Sequence, residues 1–212
     1  MNTTAAEAVN DAQEWIKDNP VTADKRVWLE KLVDSGWAAP SWPKKWFGRG
    51  LDPEAARATD AVFRAARQAD AGSGGAEQAD PVFGGDGPQG WGQDVVNLWA
   101  ATIVSHASDD LKAEILRDLL LGDISMCLLY SEPGAGSDLA AIRTSAVRDG
   151  EEWIINGQKV WTSGGRHADY ALLITRTDLD QPKHRGISFF FFPMKQPGVE
   201  VRPLRQATGD AR

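Results

Sequence analysis

Leu128-Leu129-Tyr130-Ser131-Glu132-Pro133-Gly134-Ala135-Gly136-Ser137-Asp138, followed downstream by Asn156-Gly157-Gln158-Lys159-Val160-Trp161-Thr162-Ser163-Gly164-Gly165, decides how this chain is read. The first segment is an apolar run that breaks into a turn of proline, glycine and hydroxyl residues. Glycine lets a backbone come close to a ligand, and successive free N–H groups in such a turn attract anions, so the segment suits a phosphate. The second segment adds an indole and two hydroxyls. Read as a strand over Gln158 to Thr162, it points Trp161 and Ser163 to one side, because alternate strand residues share a face. A flat, electron-rich surface beside hydrogen-bonding groups suits a planar heteroaromatic ring. A phosphate turn and a ring platform together read as a dinucleotide site, and the ring could be a flavin.

Outward from that pair, the pattern changes period. Upstream, helices are expected over Thr4 to Asp18, Ala23 to Asp34, Asp52 to Asp70, Asp94 to His106 and Ser108 to Leu121, the last with Leu111, Ile115 and Leu119 on one face. Trp37 to Gly50 reads as a loop anchored by Trp37, Trp42, Trp46 and Phe47. From Gly72 to Gly92 the glycines and the missing apolar period predict a long connection. After Gly122, short strands are expected over Ile124 to Tyr130, Thr144 to Arg148, Glu152 to Ile155, Gln158 to Thr162, Tyr170 to Arg176, Ile187 to Phe192 and Val199 to Leu204. Asp149-Gly150 and Asn156-Gly157 are both two-residue hairpin signals. The chain thus divides into a helical domain over residues 1–122 and an antiparallel β domain over residues 123–212.

Composition bounds the function. The 212 residues carry 30 acids and 23 bases, a net charge of -7, which gives no reason to expect nucleic acid or an anionic membrane as a partner. No apolar run approaches the roughly 18 residues of a membrane span, and the start has no basic-then-apolar leader, so a cytoplasmic setting is expected. Cys127 is the one cysteine and sits in an apolar run, which favours a reduced structural thiol. His106, His167 and His184 lack metal-ligand spacing, so no metal site is expected. Neither Ser131 nor Ser137 stands in a nucleophile elbow. Of nine tryptophans, six precede Gly92, which predicts aromatic packing in the front half. Phe189 to Phe192 reads as a buried strand.

The run from Leu129 to Asp138, then Gly150, Trp153, Asn156 to Ser163 and Ala168-Asp169, resembles the middle-domain signature of the acyl-CoA dehydrogenases, with a looser echo in Gly36-Trp37-Ala38-Ala39-Pro40-Ser41-Trp42-Pro43. The resemblance implies an α+β chain: an all-α N-terminal domain and a β-barrel-like or sandwich domain, truncated before a C-terminal four-helix bundle. It implies an FAD-dependent oxidoreductase of acyl-CoA thioesters in fatty acid or lipid catabolism, with an electron-transfer flavoprotein as acceptor and a homo- or hetero-oligomeric state. In such enzymes a carboxylate takes the α-proton while the β-hydrogen leaves as hydride to flavin N5. By resemblance, Leu128, Tyr130, Ser131, Gly136, Ser137, Trp161, Thr162 and Ser163 hold the cofactor. Ser131 would bond the pyrimidine edge, Gly136 and Ser137 would lie by the pyrophosphate, and Ser137 would also touch the thioester's CoA. Trp161 would cover the isoalloxazine, and Ser163, where many members have Thr, would bond near N5. The base usually stands on the C-terminal bundle, so no catalytic residue is assigned here, and the chain alone is expected to be inactive. Alternatives are a non-catalytic partner subunit of a heteromeric dehydrogenase, or a related flavin oxidase or monooxygenase.

Overall fold

A computed structural model describes residues 3–21, 24–71 and 98–204 of the chain, which divides after Asp123 into two compact units. The helical unit contains α1 (Ala5–Asp18), α2 (Lys25–Asp34), α3 (Pro53–Ala71), α4 (Ala100–His106) and α5 (Asp109–Leu121). Their ends follow from local chemistry. Thr4 and Glu7 form a capping box at α1, Thr4 N–H donating to Glu7 at 2.8 Å and Glu7 N–H to Thr4 Oγ1 at 3.3 Å. Asp24 caps α2 by accepting from the Arg26 and Val27 amides. Ser108 opens α5, and Gly122, with φ +75°, closes it in the left-handed conformation that glycine takes without strain.

The unit's core comes from Leu32 and Val33 of α2 and Ile115, Leu116, Leu119 and Leu120 of α5, all buried. Beside it runs a chain of rings, Trp28, Trp15, Phe63 and Trp37, with successive centroids 6.3, 5.9 and 5.4 Å apart. The expected aromatic packing is therefore present. The loop after α2 is held as anticipated: the Arg49 guanidinium lies 4.0 Å over the Trp37 ring, and a 3-10 turn at Lys44–Trp46 buries Trp46. Arg26 forks onto Asp123 through two 2.7 Å bonds. The Gly72 to Gly92 connection and the expected start of a helix at Asp94 lie outside the described residues.

In the second unit, β1 (Met126–Leu129), β2 (Ser145–Asp149), β3 (Glu152–Asn156), β4 (Tyr170–Arg176) and β5 (Ile187–Pro193) form one sheet. The α+β reading therefore holds. Pairing is antiparallel for β2–β3 and β4–β5, while β1 runs parallel to β4 and β2 meets β4 in parallel at Ser145 and Arg176. The sheet is mixed. Central β4 is buried on both faces, as its nearly unbroken apolar sequence requires. Gly150, φ +61°, turns the two-residue loop between β2 and β3.

Four expectations change. Asn156-Gly157 is not a hairpin: β3 ends at Asn156, and no strand follows it before β4; Gly157 lies so close to Thr144 that a Cβ there would overlap it. Neither Gln158 to Thr162 nor Val199 to Leu204 is a strand. The phenylalanine run is only half covered, with Phe189 55% exposed, since β5 pairs with β4 alone among the described strands.

Candidate functional site

The glycine turn follows β1 directly. Glu132 and Ala135 exchange backbone bonds of 2.8 and 3.1 Å, which leaves Pro133-Gly134 at the tip. The amides of Glu132 and Ala135 are spent on each other, and no residue of Glu132 to Asp138 has a positive φ, so the predicted concave array of free N–H groups does not form there by alternating backbone hand. Gly134 and Gly136 are exposed, and a Cβ on either would meet nothing within 4 Å. Packing among the described residues does not demand glycine at these positions.

What the turn does inside is more definite. Glu132 points inward, its carboxylate accepting from Arg143 N–H at 2.7 Å, Thr144 N–H at 2.9 Å and Lys159 Nζ at 2.9 Å. The Glu132 and Lys159 side chains are only 8% and 7% exposed. Burial pushes the Glu132 carboxyl up, but the bonds it accepts from the Arg143 and Thr144 amides and the Lys159 ammonium outweigh it and bring it down to about 2. Burial in turn lowers Lys159, and the carboxylate partly offsets this. Lys159 also donates to Tyr130 O at 3.1 Å, and Val160 N–H donates to Ser131 O at 2.9 Å. These bonds staple the second motif to the first. A carboxylate fixed in its ionised form by three donors is a structural anchor and not a proton acceptor.

The staple explains why Gln158 to Thr162 does not continue the sheet: Lys159 and Val160 bond to the turn instead of to a neighbouring strand. Strand alternation therefore does not place Trp161 and Ser163. Trp161 has φ +60° and is 77% exposed, and Ser163 N–H returns to its carbonyl at 3.2 Å. An L-residue in the left-handed region costs about 1–2 kcal/mol. An indole left in water gives up its burial energy as well. Next to it, Thr162 turns its methyl toward Gly165, and its buried Oγ1 lacks a hydrogen-bond partner. Ser163 is exposed.

The predicted residues fall into three places. The segment carrying Trp161, Thr162 and Ser163 is joined to Ser131 by the Val160–Ser131 backbone bond, with Trp161 and Ser163 exposed and the Thr162 hydroxyl buried. Gly136 and Ser137 lie exposed on the far limb of the turn, where Asp138 pairs with Lys183 at 2.5 Å. Leu128 sits in β1 opposite Leu172, and half-buried Tyr130 sets its ring edge-on to Phe189 at 5.6 Å. Glu132 and Lys159 were not assigned a joint role from sequence. The signal for them was a charged residue inside each motif where a ligand-facing position needs none.

A family model of the acyl-CoA dehydrogenase middle domain matches residues 127–211. The chain is 40% identical over 181 residues to acyl-CoA dehydrogenase FadE34 of Mycobacterium tuberculosis, covering 85% of this chain and 22% of that protein. Among solved structures it resembles the steroid ACAD Tcur3481-Tcur3483 at 28% identity and TM-score 0.62, covering 100% of this chain and 54% of the other. It also resembles the ChsE4-ChsE5 complex of Mycobacterium tuberculosis at 30% identity and TM-score 0.62, with coverage of 98% and 51%. The chain thus spans about a fifth to a half of the proteins it matches.

Proposed function

Because this chain belongs to the acyl-CoA dehydrogenase family, we propose that it forms the helical part and the flavin-gripping part of an FAD-dependent enzyme that desaturates an acyl-CoA thioester at Cα–Cβ. The observation that carries the reading is Trp161, exposed and left-handed on a turn that is otherwise firmly stapled. Two energetic costs at one residue, with no return among the described residues, are what a ligand platform looks like before its ligand is counted.

The neighbouring groups fit a flavin. The unpartnered Thr162 hydroxyl, the exposed Ser163 hydroxyl and half-buried Ser131 offer hydrogen bonds beside the indole, and the unfilled space at Gly134 and Gly136 admits a close-lying diphosphate. FAD, when bound, supplies the hydride acceptor for the β-hydrogen. The residues of this chain would orient and dry the ring: Trp161 would cover one face, and Ser131, Thr162 and Ser163 would fix its edge. Ser137, exposed on the far limb of the turn, would touch the CoA portion of the thioester. An electron-transfer flavoprotein would reoxidise the cofactor. A heteromeric arrangement, in which this chain completes a site with a second subunit, is favoured by the likeness to the ChsE4-ChsE5 complex.

Titration of the full-length protein with FAD, read by quenching of flavin fluorescence, tests the proposal. The doubly substituted Trp161→Ala, Ser163→Ala protein should bind at least about tenfold more weakly, because it loses a stacking surface and a bond. Equal affinity in a variant with unchanged circular dichroism would sink the reading.

A further inference from the structure

Arg176, the last residue of β4, is 9% exposed, and the bonds of its guanidinium all run to carbonyl oxygens. Nε donates to Ile142 O at 3.3 Å, and Nη2 donates to Ala140 O at 2.6 Å and to Lys183 O at 2.7 Å. Its backbone N–H donates to Thr144 O at 2.7 Å. One residue therefore grips the stretch from Ala140 to Thr144 from both its main chain and its side chain, and ties it to the loop between β4 and β5.

The same stretch is held from the other side by Glu132, which takes the amides of Arg143 and Thr144. The peptide group joining Ile142 to Arg143 thus has its oxygen on a buried cation and its N–H on a buried anion. A peptide dipole aligned between opposite charges is held more firmly than by two neutral bonds, because both contacts are charge-assisted and the surroundings are dry. The relay continues through Glu132 to Lys159, the residue that anchors the limb carrying Trp161. On its near side it fixes Leu139–Ala141, which leads straight out of Ser137 and Asp138, and Asp138 is itself paired with Lys183 of the gripped loop.

Resting on the flavin reading above, we propose that Arg176 is a positioning residue for the cofactor site: through the Ile142–Arg143 peptide, Glu132 and Lys159 it sets the spacing between the Ser137 turn and the Trp161 limb. A lysine in its place keeps the charge but lacks the planar fork that reaches three carbonyls at once. In the full-length protein, Arg176→Lys should weaken FAD binding about tenfold. It should also alter the visible circular dichroism of the bound flavin, measured well below Tm. Arg176→Ala should lose more affinity and recover part of it on addition of guanidinium ion. An arginine of purely structural importance would lower Tm and leave the FAD Kd of folded protein where it was, which overturns the inference. So does failure of both variants to fold even with guanidinium, because Arg176 then serves folding alone. Wild-type protein that takes up no FAD would instead overturn the functional reading on which this rests.

Discussion

Replacing Glu132 by glutamine tests the staple that joins the two motifs. In the folded chain the Glu132 carboxyl is held down to about 2 from an ordinary value of 4.5. A difference of that size is worth about 3 kcal/mol of folding stability, at 1.36 kcal/mol for each unit. Since the folded value is the depressed one, the contribution is complete above the unfolded value and disappears as pH falls from about 4.5 through about 2. Integrated over that window, roughly 2 kcal/mol of it should be gone by pH 3. Glutamine cannot titrate and leaves Lys159, with a side chain only 7% exposed, without its anion, a change that costs about 3–5 kcal/mol when one partner of a buried pair is removed. Urea unfolding of wild type and Glu132→Gln at pH 7 and pH 3, followed through the transition of the β unit, gives the stability gap directly, because carboxyls common to both proteins cancel. The gap should be several kcal/mol at pH 7 and should narrow by roughly 2 kcal/mol at pH 3. A gap that is the same at both pH values would refute the assignment of Glu132 as an ionised, inward-facing anchor.

Trp161→Gly should leave thermal stability within about 0.5 kcal/mol of wild type, since relief of the left-handed backbone offsets the entropy glycine adds to the unfolded chain, while flavin affinity collapses. A large loss of stability would mean that the indole is packing and not platform. Gly157→Ala should cost about 1–3 kcal/mol and broaden the unfolding transition, because the added methyl overlaps Thr144 at the point where the chain leaves β3; an unchanged Tm would contradict the close approach. Cys127 is buried and its thiol is pushed up to about 12 by burial, so thiol reagents at pH 8 should label it only at the rate of unfolding. Stoichiometric labelling of native protein within minutes would contradict that.

Much of the architecture was legible because it is local. The helix starts near Thr4 and Ser108 and the change of period after Gly122 depend on residues within a few positions of one another and lie where the pattern puts them, and the hairpin read at Asp149-Gly150 forms one residue later, with Gly150-Glu151 as its loop. What could not be read is long-range. Nothing in Met126–Leu129 announces a parallel partner at Tyr170, although the unbroken apolar run of β4 marks a strand covered on both faces. Val160, Trp161 and Thr162 have strong strand preference, yet Lys159 and Val160 find better partners in Glu132 and Ser131, and the tertiary bonds override the propensity. The site was legible as a set of residue types in two motifs. Its inner half, Glu132, Lys159 and Arg176, was not, because a buried charge is recognised only by the groups that surround it.

Asp123 bonds backward, to Arg26 and to the Asp118 carbonyl, while Ser125 bonds forward, giving its amide and hydroxyl to Asp169. Between them the chain has a natural seam at Ile124. A protease nick or a fusion junction placed there would leave these bonds of Asp123 and Ser125 intact, whereas one three residues earlier would strip α5 of its glycine terminus and Arg26 of its carboxylate. Gene rearrangements that recombine such helical and β modules would therefore tolerate a crossover at this point far better than anywhere inside the last turn of α5.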